Sequence, residues 1–591
     1  MEKPFEIKNG KFLLRGEEFR LYSGAVHYFR TTPEDWEDRL RKLKACGFNT
    51  VETYVCWNWH EPKPGAFDFA GMLDIVRFLE LARSLGLWAI VRPGPYICSE
   101  WDLGGLPAWL LKDPRMRLRC AYPPYLERVT IFYERLLPLL APLQITRGGN
   151  VLLVQVENEY GSYGCDKEYL AYLKQLLLAN GIDVPLFTSD GGWENMLTGG
   201  AVPGALATAN FGSRAKEQFG VLRRYEPEGP WVCMEFWNGW FDHWGEEHHA
   251  RDSAEVVEAM NEILDGGHVN FYMFHGGTNF GFGAGANHYG KYEPTVTSYD
   301  DDALLTEWGS YTPKYHAVRP ALLARQGVPE AAWPALPEEK SLQSIGTVAL
   351  TEQALLLENL DALSQKQESV MPECMEHYGQ NYGLILYRTQ LAAPQENCDL
   401  FVDGLADRAS IFVDGRFAGR LDRNDLYDTK VPLGLRPDGG QIDVLVEAMG
   451  RVNYGPELHD RKGARQIRIN NQLLSHFEVY PIPLEDLASL RFEPAQTNRD
   501  PNAPVFMRGV FCAASQDDCF VHLPGLVKGL VFVNGRNLGR YWAIGPQKSL
   551  YLPGAWLRTD APNEIVVLEL EGGRADHAEL LDWHDIGARK A

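Results

Sequence analysis

The chain has 591 residues, of which 45% are apolar and 23% charged. A single hydrophobic core stops growing at about 250–300 residues, so this length predicts two or three domains, and the composition excludes a disordered or membrane-embedded chain. The formal charge of −22 disfavours nucleic acid or an anionic membrane as partner and fits a neutral substrate, although the same charge would also keep a large protein in solution.

The N-terminal segment MEKPFEIKNGKFLLRGEEF has no apolar run long enough for a secretory signal, and no later stretch reaches the roughly 18 apolar residues of a membrane span. We therefore expect a cytoplasmic protein with no membrane partner. The cysteines lack CxxC and other metal-ligand spacings, which favours mostly buried free thiols over a disulfide framework. They are Cys46, Cys56, Cys98, Cys120, Cys165, Cys233, Cys374, Cys398, Cys512 and Cys519.

The first 325 residues alternate apolar strand-like runs with amphipathic helical stretches, the pattern of a parallel sheet covered by helices. Helix-like segments cover 33–47, 72–86, 125–140, 167–181 and 252–267. Predicted strands cover 19–28, 48–55, 87–93, 151–159, 185–190, 206–212, 231–237 and 269–275. Eight such repeats predict an α/β fold, a (β/α)8 TIM barrel over residues 1–327, with its active site at the C-terminal ends of the strands.

Beyond a Pro- and Ala-rich linker at 328–345, the sequence changes to short strands separated by Gly, Asp and Asn turns. It contains an internal repeat, SIFVDGRFAGR at 410–420 and LVFVNGRNLGR at 530–540, with Phe412 and Phe532 at equivalent positions. Both copies hold an Asp-Gly or Asn-Gly pair between apolar strands, which is a strong hairpin signal. We predict two all-β domains of β-sandwich or jelly-roll type, at 346–488 and 489–591.

Two of the predicted barrel strands end in glutamates, where a packed core would not need a charge. The fourth strand ends with Glu157, Asn158 and Glu159, and side-chain alternation predicts Glu157 and Glu159 on one face, unless the strand end twists or bulges. Glu235 lies within the apolar seventh strand, where a charge must be paired or functional. A single such glutamate is most often a surface or salt-bridged residue, but two at the ends of strands four and seven indicate a catalytic pair.

Glycoside cleavage requires a pair of this kind. Its oxocarbenium-like transition state needs one protonated carboxyl group to expel the leaving oxygen and one ionised carboxylate opposite it. A separation of roughly 5–5.5 Å permits direct attack and retention of configuration, whereas a wider gap admits water and inverts it. The surroundings must also separate the two pKa values, and the reaction requires no cofactor.

Five motifs in chain order resemble glycoside hydrolase family 35, the β-galactosidases, across the whole barrel. They are VETYVCWNWHEP, VRPGPYICSEWDLGGLPAWLL, LLVQVENEYGSYG, MEFWNGWFDHWG and MFHGGTNFGF. VFVNGRNLGRYW extends the resemblance into the last domain, which is thereby implied to be galactose-binding-like. The resemblance implies a retaining exo-β-galactosidase acting on glycans with terminal β-galactose, with Glu159 as acid/base and Glu235 as nucleophile.

The resemblance also implies that Tyr54, Glu100 and Asn158 bind galactose hydroxyls. Buried polar groups of this kind reject sugars that lack the matching hydroxyl, because the groups are then left unpaired. The alternative for Tyr54 is a tyrosine packed in the core, and the alternative for Glu100 is a structural ion pair.

One position departs from the family, which usually reads SYDY after the eighth strand. Here Asp301 stands in place of the second tyrosine. Either Tyr299 or another aromatic residue such as Tyr272 then supplies the sugar-facing wall, or the pocket is altered, for example towards an amino sugar. An exo-β-glucosaminidase or another retaining exo-glycosidase of the same clan is therefore the alternative, whereas a silent carbohydrate-binding protein is disfavoured because both glutamates are present.

Aromatic residues follow the predicted nucleophile closely, at Trp237, Trp240 and Trp244. Flat rings suit the apolar faces of sugars, although core packing is the better interpretation of Trp244. Bacterial family members that cleave β-1,3-linked galactose from N-acetylhexosamines resemble this chain at Trp237, Trp240 and the segment GRVNYG. That resemblance implies a +1 subsite that includes Tyr454, and a β-1,3 preference.

Two other segments resemble cofactor or metal motifs but do not match them. HGGTNFGFGAG at 275–285 fits neither GxGxxG nor a P-loop, and HWGEEHH at 243–249 lacks the HExxH and HxxEH spacings of zinc sites. We expect no cofactor and no metal. Whether the β domains bind sugar or, as we favour, only brace the barrel stays open, as does the formation of a homodimer.

Overall fold

A closed barrel of parallel strands forms the N-terminal half of the structure, a computed structural model that describes residues 3–391, 398–425, 429–433, 439–496 and 500–588. Met1, Glu2 and parts of both predicted β domains therefore lie outside the described residues. The barrel strands are β1 Tyr22–Val26, β2 Thr50–Tyr54, β3 Trp88–Arg92, β4 Val151–Gln155, β5 Leu186–Gly191, β6 Leu206–Phe211, β7 Val232–Trp237 and β8 His268–His275. Neighbouring strands pair in parallel, and β8 closes on β1. The predicted TIM barrel is confirmed.

A helix follows each barrel strand and packs its apolar face against the sheet. The helices are α1 Trp36–Ala45, α2 Ile75–Ser84, α3 Pro123–Leu140, α4 Lys167–Ala179, α5 Glu194–Gly200, α6 Ala215–Leu222, α7 Ser253–Gly266 and α8 Pro313–Arg325. Several begin where a side chain accepts hydrogen bonds from the first free backbone N–H groups: Asp74 caps α2, Asp166 caps α4, Asp252 caps α7 and Thr312 caps α8. None of the helices in the described part of the chain is both long enough and apolar enough to cross a membrane.

Two β-sandwiches follow the barrel, as predicted. In the described ranges, the six-stranded sheet of the first comprises Gln367–Ser369, Phe477–Ile482, Leu384–Leu391, Gly440–Glu447, Arg408–Val413 and Arg416–Asp422, and its four-stranded sheet comprises Lys430–Leu433, Cys398–Asp403, Gln466–Ile469 and Gln472–Leu473. The last sandwich has a six-stranded sheet of Glu493–Pro494, Glu352–Leu355, Val505–Phe511, Asn563–Glu569, Lys528–Val533 and Arg536–Trp542, and a four-stranded sheet of Gly346–Ala349, His577–Leu581, Cys519–His522 and Ser549–Leu552, counted over the same ranges.

The two hairpins of the internal repeat have the same construction in both sandwiches. Asp414–Gly415 and Asn534–Gly535 each place two consecutive residues at positive φ, the conformation that a two-residue hairpin turn needs. Each hairpin also carries a bulge just before the equivalent phenylalanine. Phe412 and Phe532 are buried in one shared cluster, so the two six-stranded sheets pack against each other across the repeat.

Strand pairing divides the β region into two sandwiches at different residues from those predicted from the sequence. Gly346–Ala349 and Glu352–Leu355 fall within the range expected for the first β domain, yet they pair with His577–Leu581 and Val505–Phe511 of the last sandwich. The chain therefore contributes two strands to the last sandwich, then forms the first sandwich, and then completes the last. Local composition carries no record of such long-range pairing.

The first β-sandwich is joined to the mouth of the barrel by a strand. A hairpin beyond β8, formed by Ala286–His288 and Tyr292–Pro294, pairs with Val452–Tyr454 of the β region. Beside it the backbone N–H of the buried Arg451 donates to Asp102 Oδ1 at 2.6 Å, and its guanidinium group binds Glu376 at 2.6 Å. These contacts fix the position of Tyr454 relative to the barrel. A further three-stranded sheet, Phe5–Lys8, Lys11–Leu14 and Glu17–Glu18, precedes β1.

Candidate active site

A cavity of about 360 Å³ lies at the C-terminal ends of the barrel strands. It is lined by all ten residues to which the sequence assigns a catalytic or substrate-binding role: Tyr54, Glu100, Asn158, Glu159, Glu235, Trp237, Trp240, Tyr272, Tyr299 and Tyr454. Small-molecule sites typically enclose about 300–1,000 Å³, so the volume suits the end of a glycan rather than a long polymer. Glu159 and Glu235 share this one cavity.

The end of β4 does not follow the predicted side-chain alternation. The strand ends at Gln155, and Glu157 and Glu159 both have left-handed backbones, with φ of 57° and 44°. Glu157 consequently turns away from the cavity and binds Arg119 in bidentate fashion, at 2.9 and 2.8 Å. The expectation that Glu157 and Glu159 share one face is therefore wrong, because left-handed residues break the alternation of an extended strand. Asn158 and Glu159 are the two residues that reach the cavity.

Glu159 lies in surroundings that favour its protonated form. Its only side-chain donor among the described residues is Asn210, whose amide nitrogen lies 3.0 Å from Oε1. Burial, followed by the negative charge of Glu235, raises the pKa of Glu159 to about 8. The carboxyl group is therefore mainly protonated at neutral pH, which is the state that a general acid needs.

Glu235 is surrounded by hydrogen-bond donors, one of them a cation. Its Oε1 accepts hydrogen bonds from the Tyr54 hydroxyl at 2.8 Å and from the Arg92 guanidinium at 2.7 Å. The indole N–H of Trp237 donates to Oε2 at 3.3 Å. A cation and two neutral donors stabilise the negative charge of this carboxylate. The surroundings of Glu159 thus suit a general acid, and those of Glu235 suit a nucleophile.

Arg92 was not among the predicted site residues, although a cation inside the apolar strand LWAIVRP was an available signal. Arg92 is completely buried. Besides Glu235 it binds Asn158 Oδ1 at 2.6 Å and Gln155 Oε1 at 2.8 Å, and its Nη1 lies 3.6 Å from Glu52. Burial raises the pKa of Glu52 to about 7, so Arg92 is held between two buried carboxyl groups.

Asn210, the donor to Glu159, is a second functional residue that the sequence analysis missed. It lies on β6, in the predicted strand LATANFG, and an amide inside such an apolar run was the available signal. Its side chain also accepts a hydrogen bond from Ser189 on β5 at 2.6 Å. The amide is therefore oriented by a neighbouring strand.

The polar atoms of Tyr54 and Asn158 are engaged within the protein. The Tyr54 hydroxyl lies between Glu235 Oε1 and Asn158 Oδ1, at 2.8 and 2.9 Å. The Asn158 amide nitrogen donates to the carbonyl of Ile97 at 3.3 Å. These contacts hold both side chains in fixed orientations at the cavity wall, with Tyr54 touching the predicted nucleophile itself.

The sequence offered Tyr299 or Tyr272 as alternatives for the aromatic wall, and both residues line the cavity. The Tyr299 hydroxyl donates to Glu100 Oε2 and lies 3.3 Å from the Tyr272 hydroxyl, which donates to Ser99 Oγ at 3.1 Å. The Arg30 guanidinium stacks over the Tyr299 ring at 3.8 Å. Glu100 forms no ion pair with any described Lys or Arg. Its carboxyl group accepts hydrogen bonds from the Tyr299 hydroxyl and, at 3.9 Å, from the Cys98 thiol.

Asp301 also lines the cavity, at the position where the family has a tyrosine. Its backbone has a φ of 57°, and its Oδ2 accepts a hydrogen bond from the Met273 N–H at 3.1 Å. A Cβ atom on Gly239 would lie 1.9 Å from the Asp301 carbonyl oxygen, so only glycine fits there. Burial raises the pKa of Asp301 well above its usual value, and the charge of Glu100 adds to this shift.

Trp244 and the histidine-rich segment lie outside the cavity wall. Trp244 is buried and packs against Trp542 of the last sandwich, with ring centroids 6.2 Å apart. His248 and His249 bind Asp242 at 2.7 and 2.9 Å. Over the described ranges, no group of three His, Cys, Asp or Glu side chains is arranged to hold a metal ion. The cysteines other than Cys398 are free thiols, and the buried Cys98 lines the cavity.

The sequence matches three family profiles in the order of the structural units. Glycosyl hydrolases family 35 matches residues 11–324, the first all-beta domain of beta-galactosidase matches 372–483, and the galactose-binding domain of beta-galactosidase matches 504–563. The first match spans the eight strands of the barrel and includes Glu100, Glu159 and Glu235, the three glutamates that line the cavity.

Curated animal proteins are similar over nearly the full chain. Human beta-galactosidase-1-like protein 2 is 42% identical over 95% of this chain and 89% of its own length. Beta-galactosidase of Mus musculus is 41% identical over 96% and 91%. Among solved structures, beta-galactosidase from the psychrophilic Marinomonas ef1 is 14% identical, covers 52% of this chain and 59% of its own, and has a TM-score of 0.37, a likeness too low to bear on function.

Replacing Arg92 by Met tests the buried ion pair. Because Glu52 and Glu235 would remain buried without a cation, Arg92→Met should lower the free energy of unfolding by about 3–5 kcal/mol. Denaturant titration measures the change. The matched control is Arg115→Met. Because the Arg115 side chain is 85% exposed, this variant should unfold like the native protein. An Arg92→Met variant that also unfolds like the native protein would contradict this account of the site.

Proposed function

Because the chain belongs to glycosyl hydrolase family 35, we propose that this glycoside hydrolase is a retaining exo-β-galactosidase that removes terminal β-D-galactose from glycans. We further propose a preference for galactose that is β-1,3-linked to N-acetylhexosamine. One observation carries the proposal: Glu159 and Glu235 line the same cavity in opposite electrostatic surroundings. Homologous β-galactosidases at about 40% identity support the galactoside class.

In the first proposed step, the ionised Glu235 attacks the anomeric carbon of galactose. The bond from that carbon to the leaving oxygen breaks, and the leaving oxygen takes the proton of Glu159. The products are a galactosyl ester on Glu235 and the released aglycone. Arg92 and Tyr54 hold Glu235 Oε1, which keeps the carboxylate fixed during attack.

In the second step, water attacks the anomeric carbon and gives a proton to Glu159, and Glu235 leaves as a carboxylate. The change in the role of Glu159 follows from its surroundings. The charge of Glu235 is one of the two main causes of the raised pKa of Glu159, and that charge is absent in the galactosyl ester. The pKa of Glu159 therefore falls after the first step, which suits its role as base.

The proposed galactose subsite lies between the glutamates and the wall of Glu100, Tyr272 and Tyr299. The proposed +1 subsite is formed by Trp237, Trp240 and Tyr454. Trp240 is 42% exposed, and its ring meets that of Trp237 edge to face at 5.7 Å, which leaves a flat surface for the next sugar ring. Tyr454 reaches this region through the strand shared with the barrel hairpin. The resemblance to β-1,3-specific family members at these positions supports the linkage preference.

An exo-β-glucosaminidase is the second candidate, and Asp301 is the observation that favours it. An extra carboxyl group in the cavity could bind the ammonium group of an amino sugar. Burial, however, raises the pKa of Asp301, and Met273 already donates to its Oδ2. A neutral carboxyl group is suited to a sugar hydroxyl, so the galactoside remains the better candidate.

Replacing each glutamate by Gln separates their roles. Glu235→Gln should abolish turnover of every substrate while the protein still folds, because no nucleophile remains. Glu159→Gln should slow galactosides with poor leaving groups by about 10²- to 10⁴-fold but slow activated aryl galactosides far less. Steady-state kcat/KM on the two substrate types measures this difference. Equal losses on both would remove Glu159 as the acid, and near-normal activity of Glu235→Gln would remove Glu235 as the nucleophile.

The pH profile tests the environment of Glu159. Since the protonated form is the acid and its pKa is raised to about 8, the alkaline limb of kcat/KM should begin near this pH and fall by about tenfold per pH unit above it. The hydrogen bond from Asn210 lowers this pKa, so Asn210→Ala should move the alkaline limb to higher pH. An alkaline limb that stays in place in this variant would contradict the assignment.

A substrate panel tests the linkage and the sugar. We expect the highest kcat/KM for galactose β-1,3-linked to N-acetylhexosamine, and lower values for the β-1,4 and β-1,6 disaccharides. p-Nitrophenyl β-glucosaminide and β-galactosaminide should be poor substrates compared with the β-galactoside. The reverse order for the amino sugars would favour the second candidate function.

A further inference from the structure

Two aromatic side chains at the mouth of the cavity take no part in the hydrolysis described above. Trp193 and Tyr289 both line the cavity, and 44% and 67% of their surfaces are exposed. In the part of the chain that the structure describes, neither the Trp193 indole N–H nor the Tyr289 hydroxyl has a hydrogen-bond partner. Exposed rings at the rim of a binding cavity mark a surface that contacts a ligand.

Trp193 lies on the side of the cavity that holds Glu159. It follows β5, which ends at Gly191, and precedes α5. A Cβ atom on Gly191 would lie 2.7 Å from the Trp193 ring and 2.6 Å from the sulfur of Met196, so both side chains pack over this glycine. The neighbouring Ser189 carbonyl accepts the backbone N–H of Glu159 at 2.9 Å. Trp193 and Met196 therefore form a wall beside the acid/base.

Tyr289 belongs to a second wall near the same glutamate. It lies in the turn of the hairpin beyond β8, and its ring centroid is 5.7 Å from that of Tyr454. Tyr454 lines the same cavity as Glu159, and burial, followed by the charge of Glu159, raises the pKa of Tyr454 to about 12. The Tyr289–Tyr454 pair thus extends from the proposed +1 subsite outwards to solvent.

The acid/base protonates the leaving oxygen, so the aglycone leaves the galactose subsite on the side of Glu159. We propose that Trp193 and Tyr289 form a further aglycone subsite beyond +1, which binds the third sugar ring of an oligosaccharide. This proposal rests on the proposed function. A substrate that fills this subsite is a trisaccharide or a longer glycan, because a disaccharide ends at the +1 subsite and leaves both aromatic rings exposed to water. Their flat faces suit a sugar ring, and their free polar groups suit its hydroxyls.

The length of the oligosaccharide substrate provides the test. The substrates are p-nitrophenyl β-galactoside, galactosyl-β-1,3-N-acetylglucosamine, and the trisaccharide that extends this disaccharide by one sugar at its reducing end. We expect the native protein to cleave the trisaccharide with a kcat/KM about three- to tenfold above that of the disaccharide, the gain that one aromatic contact provides. Trp193→Ala and Tyr289→Ala should each raise KM for the trisaccharide, so that the ratio of the trisaccharide kcat/KM to the disaccharide kcat/KM falls towards one. The kcat/KM values of both variants on the other two substrates should not change.

Two controls separate this subsite from general effects. Trp193→Phe keeps a flat ring and should keep most of the preference. Trp583→Ala removes a tryptophan of similar exposure, 50%, that packs on His522 away from the cavity, and should leave the ratio unchanged. Activity on p-nitrophenyl β-galactoside shows that each variant is folded.

The outcomes distinguish this proposal from the function on which it rests. Equal kcat/KM of the native protein on the disaccharide and the trisaccharide would overturn the further subsite alone, as would both alanine variants retaining the preference. An equal gain from an alkyl chain in place of the third sugar would also overturn it. Failure of the native protein to hydrolyse any β-galactoside would instead overturn the proposed function, and the further subsite with it.

Discussion

The buried ion pair between Arg92 and Glu235 is the interaction on which the site depends. A carboxylate in the mouth of a barrel loses its hydration, and a cation at 2.7 Å compensates for that loss. Burial, followed by the negative charge of Glu235, raises the pKa of the nearby Glu159, whose one side-chain donor among the described residues is an amide. The two carboxyl groups therefore lie in different surroundings, one beside a buried cation and the other beside an amide, as two-carboxylate catalysis requires.

The β region has a structural role in the cavity as well as in bracing the barrel. Val452–Tyr454 pairs with a hairpin of the barrel mouth, and the buried Arg451 binds both Asp102 of the barrel and Glu376 of the β region. Tyr454 lines the cavity only because this strand is fixed there. The wall of the cavity is therefore shared between the barrel and the first sandwich, whereas Glu159 and Glu235 belong to the barrel alone.

The internal repeat shows how two similar sandwiches form one unit. The equivalent hairpins bulge at the same place, and their phenylalanines meet in one cluster between the six-stranded sheets. Glu447 of the first sandwich also accepts a hydrogen bond from Arg540 of the last at 2.8 Å. A buried apolar contact and a buried ion pair together fix the relative position of the two sandwiches.

The amino-acid sequence was sufficient to predict the eight strands of the barrel, the β-sandwich character of the rest, the repeat hairpins, and Glu159 and Glu235 as candidate catalytic residues. These features are encoded locally, by hydrophobic periodicity, turn residues and short motifs. Which side chains of the VENEY segment reach the cavity could not be predicted, because Glu157 and Glu159 have left-handed backbones and contact the distant Arg119 and Ser189. Tertiary structure also decided the partners of Glu235 and Glu159, and the assignment of residues 346–355 to the last sandwich. Contacts between residues distant in the chain set all of these features, and no local pattern records them.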